Sequence, residues 1–178
     1  MRKVELFIAL SLDGYIADAE GKVDWLHGES QEVSDYDFYT PFIKNIDTII
    51  IGRNTYDQIV KELSPDHWPY YGLKTYVITH EIQQCRQAAD IIFTGSELGS
   101  LIKQLKQESG KDIWICGGAD LIQQLMSENL IEVFHFCIIP VILGHGIRLF
   151  KEMEQHIDLS LIGTTNYNGI IEVVYKRK

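Results

Sequence analysis

The chain has 178 residues, 25 of them acidic and 16 basic, for a formal net charge of −9. That length suits one domain or at most two small ones, and a composition of 46% hydrophobic and 23% charged residues excludes global disorder. The acidic balance argues against nucleic acid or an anionic membrane surface as partner, because either would repel the average face of the protein.

At the start, Met1-Arg2-Lys3 leads straight into Val4-Glu5-Leu6-Phe7-Ile8, which alternates as a strand does and lacks the apolar core and cleavage site of a signal peptide. No window is apolar for the roughly 18 residues that a membrane span needs. Further strand-length apolar runs follow; the full set is 4–10, 48–51, 75–79, 91–94, 113–116 and 133–139. Several are apolar on both faces, the pattern of a mostly parallel sheet covered by helices.

Helical patterns lie between them. Phe38, Tyr39, Phe42 and Ile43 have helical spacing behind a capping-box pattern, Ser34-x-x-Asp37, and Pro41 predicts a kink or a restart with proline at the first helical position. Tyr56, Ile59, Val60 and Leu63 form one stripe. Leu98, Leu101, Ile102 and Leu105 form another, with Ser96 as its N-cap and Gly110 beyond its end, and Leu121, Ile122, Leu125 and Met126 form a third. After Gly144-His145-Gly146 the pattern changes to two strands joined around Asn166-Tyr167-Asn168-Gly169, a strong hairpin signal. With no repeat and no dividing linker, residues 1–178 read as a single α/β domain.

Four loops that follow strands are candidate ligand sites, since ligands in open α/β sheets gather at the carboxyl ends of strands. Ser11-Leu12-Asp13-Gly14-Tyr15-Ile16-Ala17 is either a close backbone approach to a planar ligand or a surface turn. Gly52-Arg53-Asn54-Thr55-Tyr56 ends a strand and opens a helix, which suits phosphate, or else Asn54 or Thr55 caps the helix and Arg53 is solvated. Gly117-Gly118-Ala119-Asp120 would let a pyrophosphate reach backbone, although the spacing is not GxGxxG. Val77-Ile78-Thr79-His80 places polar groups at a strand end. His135 and Cys137 share a strand face but lack further ligands at metal-site spacing, so they read as packed or pocket-lining groups and no metal is expected. Cys116 reads as an inert thiol. The three cysteines, Cys85, Cys116 and Cys137, are odd in number and lack CxxC spacing, which points to a cytoplasmic protein.

Together these segments resemble the dihydrofolate reductase superfamily. The closer resemblance is to its small stand-alone bacterial branch, related to the reductase (C-terminal) domain of the bifunctional riboflavin-biosynthesis deaminase-reductase. Ser11 to Ala17, Gly52 to Tyr56, Asp24-Trp25-Leu26, Gly117-Gly118-Ala119 and the run from Pro140 to Phe150 carry it. The resemblance implies a dihydrofolate reductase-like fold, a central, mostly parallel mixed sheet flanked by helices and closed by an antiparallel C-terminal hairpin. It also implies NADPH as cofactor. Ala9 and Ile16 would flank the nicotinamide, Gly52, Arg53, Asn54 and Thr55 would meet phosphates, and Thr79 and His80 would lie near the adenosine end. Gly117, Gly118, Ala119, Asp120, Leu121 and Ile122 would cradle the pyrophosphate. Asp120 departs from the basic residue common there in dihydrofolate reductases.

The implied activity is reduction of a small heterocycle, foremost 5-amino-6-(5-phosphoribosylamino)uracil as in riboflavin biosynthesis, with pterin reduction or a non-catalytic dinucleotide-binding module as alternatives. Asp37, with Asp35 as alternate, is the candidate for placing a proton, or both aspartates only complement the helix dipole. Trp25, Phe38 and Phe42 are the candidate pocket wall. A homodimer is expected, using an apolar edge at residues 170–175.

Overall fold

Alternation within the first strand sets which way the sheet faces. In the computed structural model, which describes residues 1–30, 38–82, 90–154 and 156–178, β1 (Val4–Ser11) sends Val4, Leu6 and Leu10 into one core layer while Phe7 turns to the other. The remaining strands are β2 (Tyr15–Ala17), β3 (Ile46–Gly52), β4 (Lys74–Ile78), β5 (Ile91–Thr94), β6 (Asp112–Gly117), β7 (Val133–Ile139), β8 (Ile147–Arg148), β9 (Leu159–Tyr167) and β10 (Ile170–Arg177). Eight of them form one sheet in the order β5-β4-β3-β6-β1-β7-β10-β9. Pairing is parallel from β5 across to β7 and antiparallel from β7 to β10 and from β10 to β9. β2 and β8 make a separate antiparallel pair.

Helices α3 (Leu98–Gln107) and α4 (Ala119–Ser127) cover the first face. Leu101, Ile102, Leu105, Ile122 and Leu125 pack there against Val4, Leu6, Ile113, Ile115 and Phe134, each such burial contributing roughly 1.5–3 kcal/mol. On the second face, α1 (Tyr39–Ile43) and α2 (Arg53–Gln58) lie over Ile49, Ile51, Val77 and Trp114, joined by Phe42, Ile59 and Phe93.

Several sequence expectations need correction. The N-cap of α3 is Glu97 and not Ser96: the Glu97 carboxylate accepts the N–H groups of Gly99 at 2.8 Å and Ser100 at 2.7 Å. α1 starts at Tyr39, so Pro41 is its third residue and there is no restart at the proline. First-turn N–H groups have no intrahelical partner, so a proline there forfeits little. After Gln58 the helix widens into a π-turn over Ile59–Leu63, closed by Ser64 N–H to the Ile59 carbonyl at 2.7 Å. The changed phase buries Ile59 and leaves Leu63 exposed. The segment 170–175 is no edge, because β10 lies between β7 and β9. The hairpin turn is Asn168-Gly169, with φ of +49° and +76°, the left-handed pair that a two-residue type I′ turn requires. The expected capping box at Ser34 and Asp37 lies outside the described residues.

Candidate active site

Two glycine-led helix starts meet at the carboxyl ends of adjacent strands. β3 ends at Gly52, the N-cap of α2, and its parallel neighbour β6 ends at Gly117, one residue before Gly118, the N-cap of α4. Gly117 has φ +133°, a conformation that side-chain-bearing residues rarely adopt. A Cβ on Gly52 would stand 3.4 Å from the Gly118 nitrogen, and one on Gly118 would stand 3.1 Å from Thr55 Oγ1. Side chains at these positions would crowd the junction between the two helix starts, which fits a site where backbone must meet a phosphate.

The flanking residues have defined roles in the structure. Arg53 Nε pairs with Asp57 at 2.8 Å, and its guanidinium carbon lies 5.8 Å from the centre of the Phe93 ring. Partial burial pushes the Asp57 carboxyl up, but Lys61 and Arg53 outweigh it and hold Asp57 below the ordinary carboxylate range. Asp120 is ion-paired to Lys151, so the acid at the start of α4 is compensated by a cation from another segment. Leu121 and Ile122 are buried in the core, and the Ile122 N–H is taken by the Gly118 carbonyl at 3.1 Å. The first turn of α4 therefore presents outward its backbone together with the exposed, Lys151-paired side chain of Asp120. Thr79, at the end of β4, is buried and accepts the Glu81 N–H at 3.1 Å, while His80 is exposed.

Ala9 pairs in register with Cys137, and Ile16, on β2, packs beside the first core layer. Between them runs a tight turn: Gly14 N–H bonds the Ser11 carbonyl at 2.9 Å, Tyr15 N–H bonds Ser11 Oγ at 2.9 Å, and Gly14 takes φ +87°. Trp25 lines a cavity of about 250 Å³ with His27, Gly28, Glu29, Pro140 and Val141. Phe42 lies elsewhere, stacked on Phe7 at 4.6 Å and edge-on to Trp114 at 5.6 Å. The structure therefore does not bring Trp25 and Phe42 into one lined cavity, and Phe38 immediately precedes α1 as its N-cap. Asp35 and Asp37 lie outside the described residues.

Sequence reasoning gave no role to His27 or Glu29; a histidine and an acid close behind Trp25 were the available signal. His135 has both ring nitrogens engaged, Nε2 with Glu5 at 3.3 Å and Nδ1 with Glu172 at 3.2 Å, so its strand position is satisfied by carboxylates. Burial pushes the Cys116 thiol up to about 12 against the opposing hydrogen bond from Tyr70, and burial with the Glu172 charge does the same for Cys137. Both thiols are protonated at neutral pH and neither is an activated nucleophile.

Residues 2–171 match the RibD C-terminal domain family. The chain belongs to that family. It is 39% identical to YwjB of Bacillus subtilis (strain 168) over 176 residues, covering 99% of this chain and 98% of YwjB. It is 30% identical to a putative riboflavin biosynthesis protein of known structure from Shewanella sp. PV-4, with a TM-score of 0.85 and 99% of each chain covered. Two more distant structures share the fold. One is the Thermotoga maritima diaminohydroxyphosphoribosylaminopyrimidine deaminase/5-amino-6-(5-phosphoribosylamino)uracil reductase, at 14% identity and a TM-score of 0.71 over 99% of this chain and 57% of that one. The other is dihydrofolate reductase from Enterococcus faecalis complexed with NADP(H), at 19% identity and a TM-score of 0.68, covering 98% and 96%. The fold is thus dihydrofolate reductase-like, and the family is of the riboflavin reductase type. Among the described residues no helix is long and apolar enough to cross a membrane.

Proposed function

We propose that this protein is an NADPH-dependent reductase of a small heterocycle, with 5-amino-6-(5-phosphoribosylamino)uracil or a close relative as substrate, working in the cytoplasm. The observation that carries this reading is the meeting of Gly52 and Gly117-Gly118 at the ends of neighbouring parallel strands, where the missing side chains let two helix starts approach closely and leave their backbone accessible to a phosphate. The N-terminal turns of the two helices, with their dipoles, supply positive potential there on a protein of net charge −9. In this reading the backbone from Gly118 to Leu121 holds the pyrophosphate and Arg53, Asn54 and Thr55 hold further phosphate oxygens. Thr79 and His80 border the adenosine end, and Ala9 and Ile16 bracket the nicotinamide. The bound cofactor supplies hydride to a polarised C=N or C=O of the substrate.

Trp25 offers a face for the substrate at the cavity shared with Pro140 and Val141, with Phe38 as a further wall, while Phe42 stays buried against Phe7 and Trp114. Asp37, or Asp35 as alternate, places a proton donor or a water beside the acceptor. Support for a nucleotide-binding role comes from family membership and from the NADP(H) carried by the Enterococcus faecalis neighbour. We further propose that two copies pair through β9, whose outer edge ends the sheet among the described residues.

Calorimetric titration with NADPH and NADH tests the cofactor assignment. Tighter binding of NADPH is expected, with Arg53→Ala reducing that preference about tenfold through loss of a charge-assisted phosphate contact. Equal affinity for both dinucleotides, or an unchanged preference in the variant, contradicts it.

A further inference from the structure

The turn between β1 and β2 is tied to a segment far away in sequence, residues 141–149, by a continuous set of hydrogen bonds. The Leu12 N–H bonds the Val141 carbonyl at 2.8 Å, the Leu149 N–H bonds the Gly14 carbonyl at 3.0 Å, and the Tyr15 hydroxyl bonds the Gly144 carbonyl at 3.1 Å. Arg148 stacks its guanidinium 4.6 Å from the centre of the Tyr15 ring, and β2 pairs with β8. A Cβ on Gly146 would collide with the Ala17 carbonyl oxygen, so the two backbones run in direct contact.

Asp13 is the hub of these ties. Its Oδ1 accepts the Leu143 N–H at 3.1 Å and the Ser11 hydroxyl at 2.7 Å, and its Oδ2 accepts the Gly144 N–H at 2.7 Å. Ser11 is fully buried and also receives the Tyr15 N–H, which fixes the carboxylate from behind. Desolvation pushes the Asp13 carboxyl up, but these donors outweigh it and bring it down to about 2, so the group is ionised at any working pH. Its two carboxylate oxygens thus join both segments through two backbone N–H groups.

We infer that Asp13 is a positioning residue: by gripping the Leu143 and Gly144 N–H groups it holds the β1–β2 turn, and Ile16 with it, in the arrangement that receives the nicotinamide half of the cofactor. This rests on the reductase reading above. The adenosine and phosphate half would lie at Gly52, Gly117 and Gly118, on separate strands that the clasp does not touch. Loosening the clasp should therefore weaken one half of the cofactor's binding and spare the other. An asparagine at position 13 keeps one acceptor oxygen but turns an NH₂ toward a backbone donor, breaking one arm of the grip with little change in volume.

The test compares NADPH with 2′-phospho-ADP-ribose, which lacks nicotinamide, by titration of wild type and Asp13→Asn. The expected result is a Kd for NADPH about tenfold higher in the variant, with the Kd for the fragment unchanged. Ser11→Ala, which removes only the rear support, should act in the same direction and more weakly, and it serves as the test should Asp13→Asn fold poorly. Equal weakening of both ligands would assign Asp13 a general structural role and overturn the inference, as would unchanged binding of both. Wild type that binds neither ligand would overturn the reductase reading, and the inference with it. Wild-type binding with unaltered selectivity in both variants would overturn the inference alone.

Discussion

His135 stands between two carboxylates, Glu5 on β1 and Glu172 on β10, with Phe7 and Phe42 rings 5.9 and 5.2 Å from its own. Burial among these groups lowers its pKa, but the hydrogen bonds to Glu172 and Glu5 outweigh burial and raise it to about 9. A histidine raised above its unfolded value of about 6.5 stabilises the fold fully below that pH and loses the contribution as pH climbs through the folded pKa. With its open side partly screened by solvent, the contribution is about 2 kcal/mol. Chemical denaturation is therefore expected to show stability falling between pH 6.5 and 9 by about that amount. His135→Gln should lie lower at neutral pH and be nearly flat over the same interval. A wild-type profile as flat as that of the variant contradicts the assignment. The same cluster gives both nitrogens of this histidine, two residues from a cysteine, acidic partners contributed by strands that only the folded sheet brings alongside.

At the scale of elements, one boundary of the sheet among the described residues is β5 and the other is β9. Its nine residues contain neither charge nor proline, and Leu161 and Ile162 are 56% and 54% exposed. Natural edge strands normally carry such protection, and an unguarded one invites pairing with another chain. Light scattering at micromolar concentration is expected to report a dimer for wild type and a monomer for Ile162→Lys; a monomeric wild type removes the idea. The sequence could not locate this edge, because residues 159–164 and 170–175 read equally as strands and only the tertiary order says that β10 lies inside. The parallel core strands were legible for a physical reason: burial on both faces writes a continuous apolar run. β2 and β8, of three and two residues, are too short to carry a period and exist through their mutual pairing. The glycine turns at Gly52 and Gly117 were legible one at a time. Their convergence was not, since β3 and β6 are neighbours in space but not in order. Asp13 stood within a quoted motif without a role, because its backbone partners are 130 and 131 positions away.

For the whole molecule, the strand order places β6 between β3 and β1, so that the carboxyl ends of all three converge on one rim with the β1–β2 turn beside them. Under the proposed function, one face of the rim would hold an extended dinucleotide while the cavity at Trp25 and Val141 would admit a second, flat molecule. Holding both reactants on rigid strand ends supplies orientation, the main requirement for hydride transfer. The central claim is that the protein carries out this transfer rather than only binding nucleotide. The direct measurement is a single turnover with NADPH deuterated at C4 of the nicotinamide and 5-amino-6-(5-phosphoribosylamino)uracil as acceptor, with mass analysis of the product. The account expects cofactor oxidation matched by deuterium in the product, slowed by Asp37→Asn or, if Asp35 is the group used, by Asp35→Asn. Bound cofactor that is neither oxidised nor yields label to this acceptor or to a pterin would contradict it and leave a dinucleotide-binding module.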